Sequence, residues 1–152
     1  MSLLRTTRAL VSARSASVRT MATASNTVKV HVIRGTLEGR DVPSTPEAVY
    51  TAEVPHGLSF SEVLSRVTPE ASMSGCSWVA RAGTAPAAVW SVDEGVRLLS
   101  TMADVPVTTE TRVDWSYFRD LPPAWIHARL AQDASLTPAQ LEHEFGRIAT
   151  QI

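Results

Sequence analysis

Val28, Val30 and Val32 alternate with Lys29, His31 and Ile33, the period-two pattern of a strand that buries one face. A run of breakers, Gly35, Gly39, Asp41, Pro43, Ser44 and Pro46, interrupts it, and in a second alternation Tyr50, Ala52 and Val54 share a face. The two segments are expected to form a hairpin with a long connection. After Pro55 and Gly57 the period becomes helical, with Phe60, Val63, Leu64 and Val67 at i, i+3, i+4 and i+7, one stripe to lay on a sheet. Ser59 is placed as the N-cap and Glu62 completes a reciprocal capping box that satisfies two backbone amides. Pro69 stops the helix.

Ser77 to Arg81 and Ala87 to Val92 read as short strands joined around Gly83 and Pro86, and Val96 to Leu99 as another after the Asp93, Glu94, Gly95 turn. Strand, strand, helix, strands is the order of a β-grasp, an α+β fold in which one helix packs across a sheet, and residues 27–120 are assigned to it. The Leu121, Pro122, Pro123 break opens a C-terminal extension, residues 121–152, expected to be a helical pair. Trp125, Ile126, Arg129 and Leu130 follow helical spacing up to Asp133. Thr137, Pro138 and Gln140 then supply an N-cap, a first-turn proline and a third-position amide for a helix with Leu141, Phe145 and Ile148 on one face. Helices this short are marginal alone in water, so they must pack on the sheet or on another protein.

Residues 1–26 change the picture of where the protein works. Arg5, Arg8, Arg14 and Arg19 stand among Ser, Thr and Ala, Leu3, Leu4, Leu10 and Val11 gather loosely opposite them on a helix, and the first acidic residue is Glu38. This is the composition of a mitochondrial import presequence and lacks the continuous apolar core of a secretory signal. Without residues 1–20, ten basic residues face fifteen acidic ones, and Lys29 is the only lysine. Such a balance argues against nucleic acid as a partner. No apolar run reaches the length needed to cross a bilayer, so the chain is expected to be soluble or peripheral to a membrane. A single cysteine fits a reducing compartment and excludes a disulfide framework.

Candidate chemistry is sparse. His31, His56, His127 and His143 have no metal-ligand spacing, and no nucleophile elbow supports a Ser, His, Asp set. The chain is therefore read as no enzyme, with no metal. Cys76 has no basic residue beside it in sequence to lower its pKa. Trp78 and Trp90 lie in candidate strands and are read as core, whereas Trp115 and Trp125 flank the Pro122, Pro123 hinge. Aromatic residues are favoured at interfaces, so Trp115, Tyr117, Phe118, Trp125, Ile126, Leu141 and Phe145 are assigned to a partner surface. Closure of the C-terminal helices onto their own sheet is the alternative.

The run PVTTETRVDWSYF, with Pro106, Val107, Val113, Asp114, Ser116 and Phe118, carries a family resemblance. It is similar to the segment after the last cluster strand in the N-terminal ferredoxin-like domain of the succinate dehydrogenase (complex II) iron–sulfur subunit. VKVHVIR resembles that family's first strand, EAVYTAEVPHGLSFSEVLSRV its second strand and helix, and GCSWVARAGTAPAAV its cluster loop and hairpin, so the likeness covers about Thr27 to Phe118. By the family's spacing the cluster ligands fall on Thr68, Met73, Cys76 and Ala88. A [2Fe–2S] centre needs four thiolates, or two with two imidazoles, and here Cys76 is the only cysteine. The resemblance thus implies a degenerate frame with no cofactor. Residues 121–152 have no counterpart of the family's second, cysteine-rich domain.

Together these readings lead to the expectation of a non-catalytic accessory subunit of a mitochondrial respiratory complex, complex II by the resemblance, on the matrix side of the inner membrane among other subunits. Two rivals stand beside it: a β-grasp interaction module in another mitochondrial assembly, such as another respiratory complex or the mitoribosome, and a redox protein in which Cys76 ligates a cluster shared between two chains.

Overall fold

Each stretch of period-two or period-3.6 patterning becomes a regular element in the computed structural model, which describes residues 26–39, 42–45, 47–70, 74–99 and 105–151. Residues 1–25 of the expected presequence and Met73 lie outside the described residues. The strands are β1 (Thr27–Arg34), β2 (Leu37–Gly39), β3 (Val42–Thr45), β4 (Ala48–Pro55), β5 (Cys76–Ala82), β6 (Ala85–Ser91), β7 (Gly95–Leu98) and β8 (Arg112–Arg119). The helices are α1 (Phe60–Arg66), α2 (Pro123–Gln132) and α3 (Pro138–Ala149). Six strands form one mixed sheet in the order β4-β1-β8-β5-β6-β7, and β2 with β3 forms a separate two-stranded ribbon. All neighbouring pairs in the large sheet are antiparallel except β1 with β8, which run parallel.

The sheet buries two cores. On one face Val28, Val30 and Val32 of β1, Val54 of β4, Trp78 and Ala80 of β5, and Val113 and Trp115 of β8 meet Phe60, Val63, Leu64 and Val67 around α1. Phe60, Val63 and Leu64 are fully buried, each worth roughly 1.5–3 kcal/mol relative to exposure. Ser59 and Glu62 form the expected capping box, and the helix ends with Val67 as its C-cap, two residues before Pro69. On the other face Val79, Val89 and Phe118 meet Ile126 and Leu130 of α2 and Leu141 of α3, with Leu99, Leu121 and Leu136 around them. The C-terminal helices therefore close on the sheet of their own chain. Thr137 caps α3 with Gln140 as its reciprocal partner. The apolar face expected of α3 stops short: Ile148 is 45 % exposed, where Leu141 is fully buried.

Two features depart from the sequence reading. The Gly35 to Pro46 breaker run, read as plain connection, contains the β2–β3 ribbon. Residues 112–119, matched to the resembled family but given no strand, form β8, which lies between β1 and β5. Its signal was present: Val113, Trp115 and Tyr117 alternate with Arg112, Asp114 and Ser116, the period-two pattern of a strand.

Where β1 leaves the sheet, the chain passes very close to β8. The Gly35 N–H donates to the Trp115 carbonyl at 2.8 Å, and a Cβ on Gly35 would stand 2.9 Å from that same backbone oxygen. Backbone cannot swing aside as a flexible side chain does, so a methyl group here must push β1 from β8. Gly35→Ala is expected to lower unfolding stability by about 1–3 kcal/mol, read as a lower urea midpoint with an unchanged m-value.

Candidate functional site

The sequence resemblance would set cluster ligands at Thr68, Met73, Cys76 and Ala88. Cys76 begins β5, Ala88 lies within β6, and Thr68 follows α1 as a half-buried residue. The hairpin turns between Ala82 and Ala85, pairs Ala80 with Ala88 and Trp78 with Trp90, and carries a bulge that sets Ala87 apart. On β6 the level of Cys76 is thus reached two residues past Trp90. Ala88 stands four positions away along the strand, about 13 Å at the usual rise, too far for the two to hold one two-iron centre. Equal spacing in sequence does not survive here as equal spacing in space, because Cys76 and Ala88 are not symmetric about the turn. The donor set does not fit a [2Fe–2S] cluster in chemistry, and Cys76 and Ala88 do not fit one in position.

Hydrogen bonds instead tie this loop to the rest of the fold. The Asp93 carboxylate accepts from the Ser74 hydroxyl at 3.0 Å and from the Gly75 amide at 3.2 Å. The buried Ser77 hydroxyl donates to the Leu121 carbonyl at 2.7 Å, fixing the exit from β8 toward α2. That exit passes through Asp120 at φ 59°, a left-handed conformation that aspartate tolerates better than most residues. The Cys76 Sγ lies 3.1 Å from the Tyr117 Oη, and Cys76 is 7 % exposed. Burial, followed by this contact with Cys76, pushes the Tyr117 phenol up to about 12. Tyr117 also stacks at a tilt on Trp78, with ring centroids 5.1 Å apart. Beside it lies an open depression of about 470 Å³ lined by Thr36, Tyr117, Arg119 and Glu142.

The Cys76–Tyr117 contact has no signal in local sequence, since it depends on the register of β5 against β8, in which Trp78 faces Tyr117. The role of Asp93 was also missed, although an aspartate at a turn is a common acceptor for nearby amides. The histidines are dispersed: His31 lies 3.5 Å from the Thr51 hydroxyl on an exposed strand face, and a His127 ring nitrogen contacts the Leu98 carbonyl at 2.9 Å. Among the described residues, no group of three His, Cys, Asp or Glu side chains is placed to hold a metal ion.

The expected partner surface needs correction. Trp115, Phe118, Ile126 and Leu141 are buried inside this chain, at 2 % exposure or less, because β8 is central and both of its faces are covered. They stabilise the fold and present nothing to a neighbour. Trp125 and Phe145 are half-buried and meet edge to face with centroids 5.2 Å apart, joining α2 to α3. Arg129 reinforces that junction with a bidentate ion pair to Glu144 at 2.8 and 3.2 Å, which holds the Glu144 carboxyl below its usual range. Tyr117 is half-buried and engaged with Cys76.

Two tests follow from this geometry. The folded state disfavours the Tyr117 phenolate, so the stability linked to that group is complete below its ordinary value of 10.0 and is lost as pH rises toward about 12. Tyr117→Phe is expected to flatten the alkaline decline of urea stability between those limits, leaving the smaller contribution of Tyr50, whose phenol is also raised, first by burial. In addition, iron and acid-labile sulfide assays on the purified full chain are expected to read far below one cluster per chain or per two chains. Compared with models of known protein families, with curated proteins and with solved structures, the chain matches none.

Proposed function

We propose that the chain is a non-catalytic accessory subunit of a mitochondrial respiratory complex, complex II by the resemblance of its strand-forming segments, and that it acts by packing beside true redox subunits. The observation that carries this reading is the connectivity of the large sheet. An N-terminal hairpin, β1 with β4, is followed by one helix, and the last strand, β8, inserts parallel to β1 at the centre. That connectivity supports a β-grasp, the frame of ferredoxin-like domains, here extended by two C-terminal helices. The non-catalytic part of the proposal rests on the engagement of the polar groups around Cys76, where Ser74, Ser77 and Asp93 secure backbone and loop. The presequence-like residues 1–26 support a place in the mitochondrion, on the matrix side of the inner membrane. Among the described residues no helix is long and apolar enough to cross a membrane, which suits a peripheral position.

The displacement of Ala88 from the level of Cys76 favours a second reading, a β-grasp interaction module in another mitochondrial assembly, because it weakens the ligand-for-ligand match to the complex II subunit. One experiment separates the two. Affinity purification of the tagged full chain from mitochondria of its source, followed by mass spectrometry, is expected to recover the flavoprotein and iron–sulfur subunits of complex II in stoichiometric amounts. Recovery of a different complex would select the second reading, and recovery of neither would overturn both.

A further inference from the structure

A sheet that is not closed into a barrel has two edges, and the two edges here are treated differently. β7 is four residues long and α1 packs near it. β4 is eight residues long, pairs with β1 without a bulge from Ala48 to Pro55, and bears two of the large exposed apolar side chains, Val49 at 69 % and Tyr50 at 42 %. Natural proteins blunt such edges with bulges, lysines, prolines or short length. β4 has only Pro55, at its very end.

The hydrogen-bonding phase of that edge is set by its neighbours. The His56 N–H donates to the Asn26 carbonyl, and the His31 N–H turns the other way, to Thr111. Since backbone groups alternate sides along an antiparallel strand, Tyr50, Ala52 and Val54 bond to β1, while Val49, Thr51 and Glu53 direct their N–H and C=O groups outward. We propose that this edge pairs antiparallel with β4 of a second copy about a two-fold axis at Thr51, continuing the sheet through a homodimer.

The argument for a second copy is self-complementarity. With the axis at Thr51, Thr51 faces Thr51 and Val49 faces Glu53 in both directions, so every outward N–H and C=O of these residues meets a partner. Tyr50 then lies opposite Ala52 and Ala48 opposite Val54, an apolar row continuous with the α1-side core, and a Thr–Thr cross-strand pair is favourable. Charge agrees with this register. Glu53 meets a valine and keeps Lys29 at 3.8 Å. Moving the axis to Glu53 sets Glu53 against Glu53 and brings Pro55, which has no N–H, opposite Thr51. Moving it to Val49 pairs Thr51 with Glu47, outside the strand. Isologous pairing of this kind needs no other partner, so the inference does not depend on membership of a respiratory complex.

Sedimentation velocity of the purified full chain over a range of concentrations tests it. The wild-type chain is expected to be a dimer. Thr51→Pro removes the N–H at the axis, which points away from β1 and is therefore dispensable to the fold, and is expected to raise the dimer dissociation constant at least tenfold with an unchanged circular dichroism spectrum. Thr51→Cys, at a pair with Cα atoms about 5.5 Å apart, should form an intermolecular disulfide under mild oxidation, and Val49→Cys should not. A wild-type monomer at every concentration overturns the proposal, as does a dimer undiminished by Thr51→Pro or faster cross-linking through Val49→Cys. Should Thr51→Pro fail to fold, the two cysteine variants decide.

Discussion

The structure depends on the parallel pairing of β1 with β8, which brings the first and last strands of the sheet together at its centre. Around that seam every other element finds its place. β4 adds to the outside of β1, β5 to the outside of β8, and the paired strands offer a broad apolar face to α1. Because side chains alternate across a strand, β8 also presents Phe118 to the opposite face, where α2 and α3 cover it. Trp115 and Phe118 are therefore structural residues of one strand serving two cores.

How much of this was legible in the sequence differs between elements for physical reasons. β1, α1, α2 and α3 announce themselves because their signals are local: alternation at Val28, Val30 and Val32, capping boxes at Ser59 and Thr137, and helical stripes at Phe60, Val63 and Leu64. The β2–β3 ribbon was hidden by glycine and proline, which mark turns more strongly than the short strands between them. β8 was legible in period but went unassigned. The site fared worse, since a contact such as Cys76 with Tyr117 exists only once β5 and β8 are in register. The surface assigned from aromatic residues failed for a related reason: a tryptophan or phenylalanine suits an interface and a core equally well, and only topology shows which it occupies.

The region around Cys76 is held by hydrogen bonds from several elements. Asp93 draws in Ser74 and Gly75, Ser77 secures Leu121, and the thiol rests against a phenol. The Ser77–Leu121 bond, between neutral groups, is of modest net worth, about 0.5–1.5 kcal/mol, yet with the bonds to Asp93 it joins the β6–β7 turn, β5 and the approach to α2. Position as well as donor chemistry separates Ala88 from Cys76, and the turn between Ala82 and Ala85 is the cause.

The seam between β1 and β8 also governs how the chain reaches its native state. His31 and Arg112 are register partners although the whole of β2 to β7 and α1 lies between them, and closing so large a loop is entropically costly before any contact rewards it. β1 must therefore wait for β8 before the centre of the sheet can close. Until then β1 can pair with β4 alone, and the valines of that hairpin remain open to any chaperone or stray strand nearby.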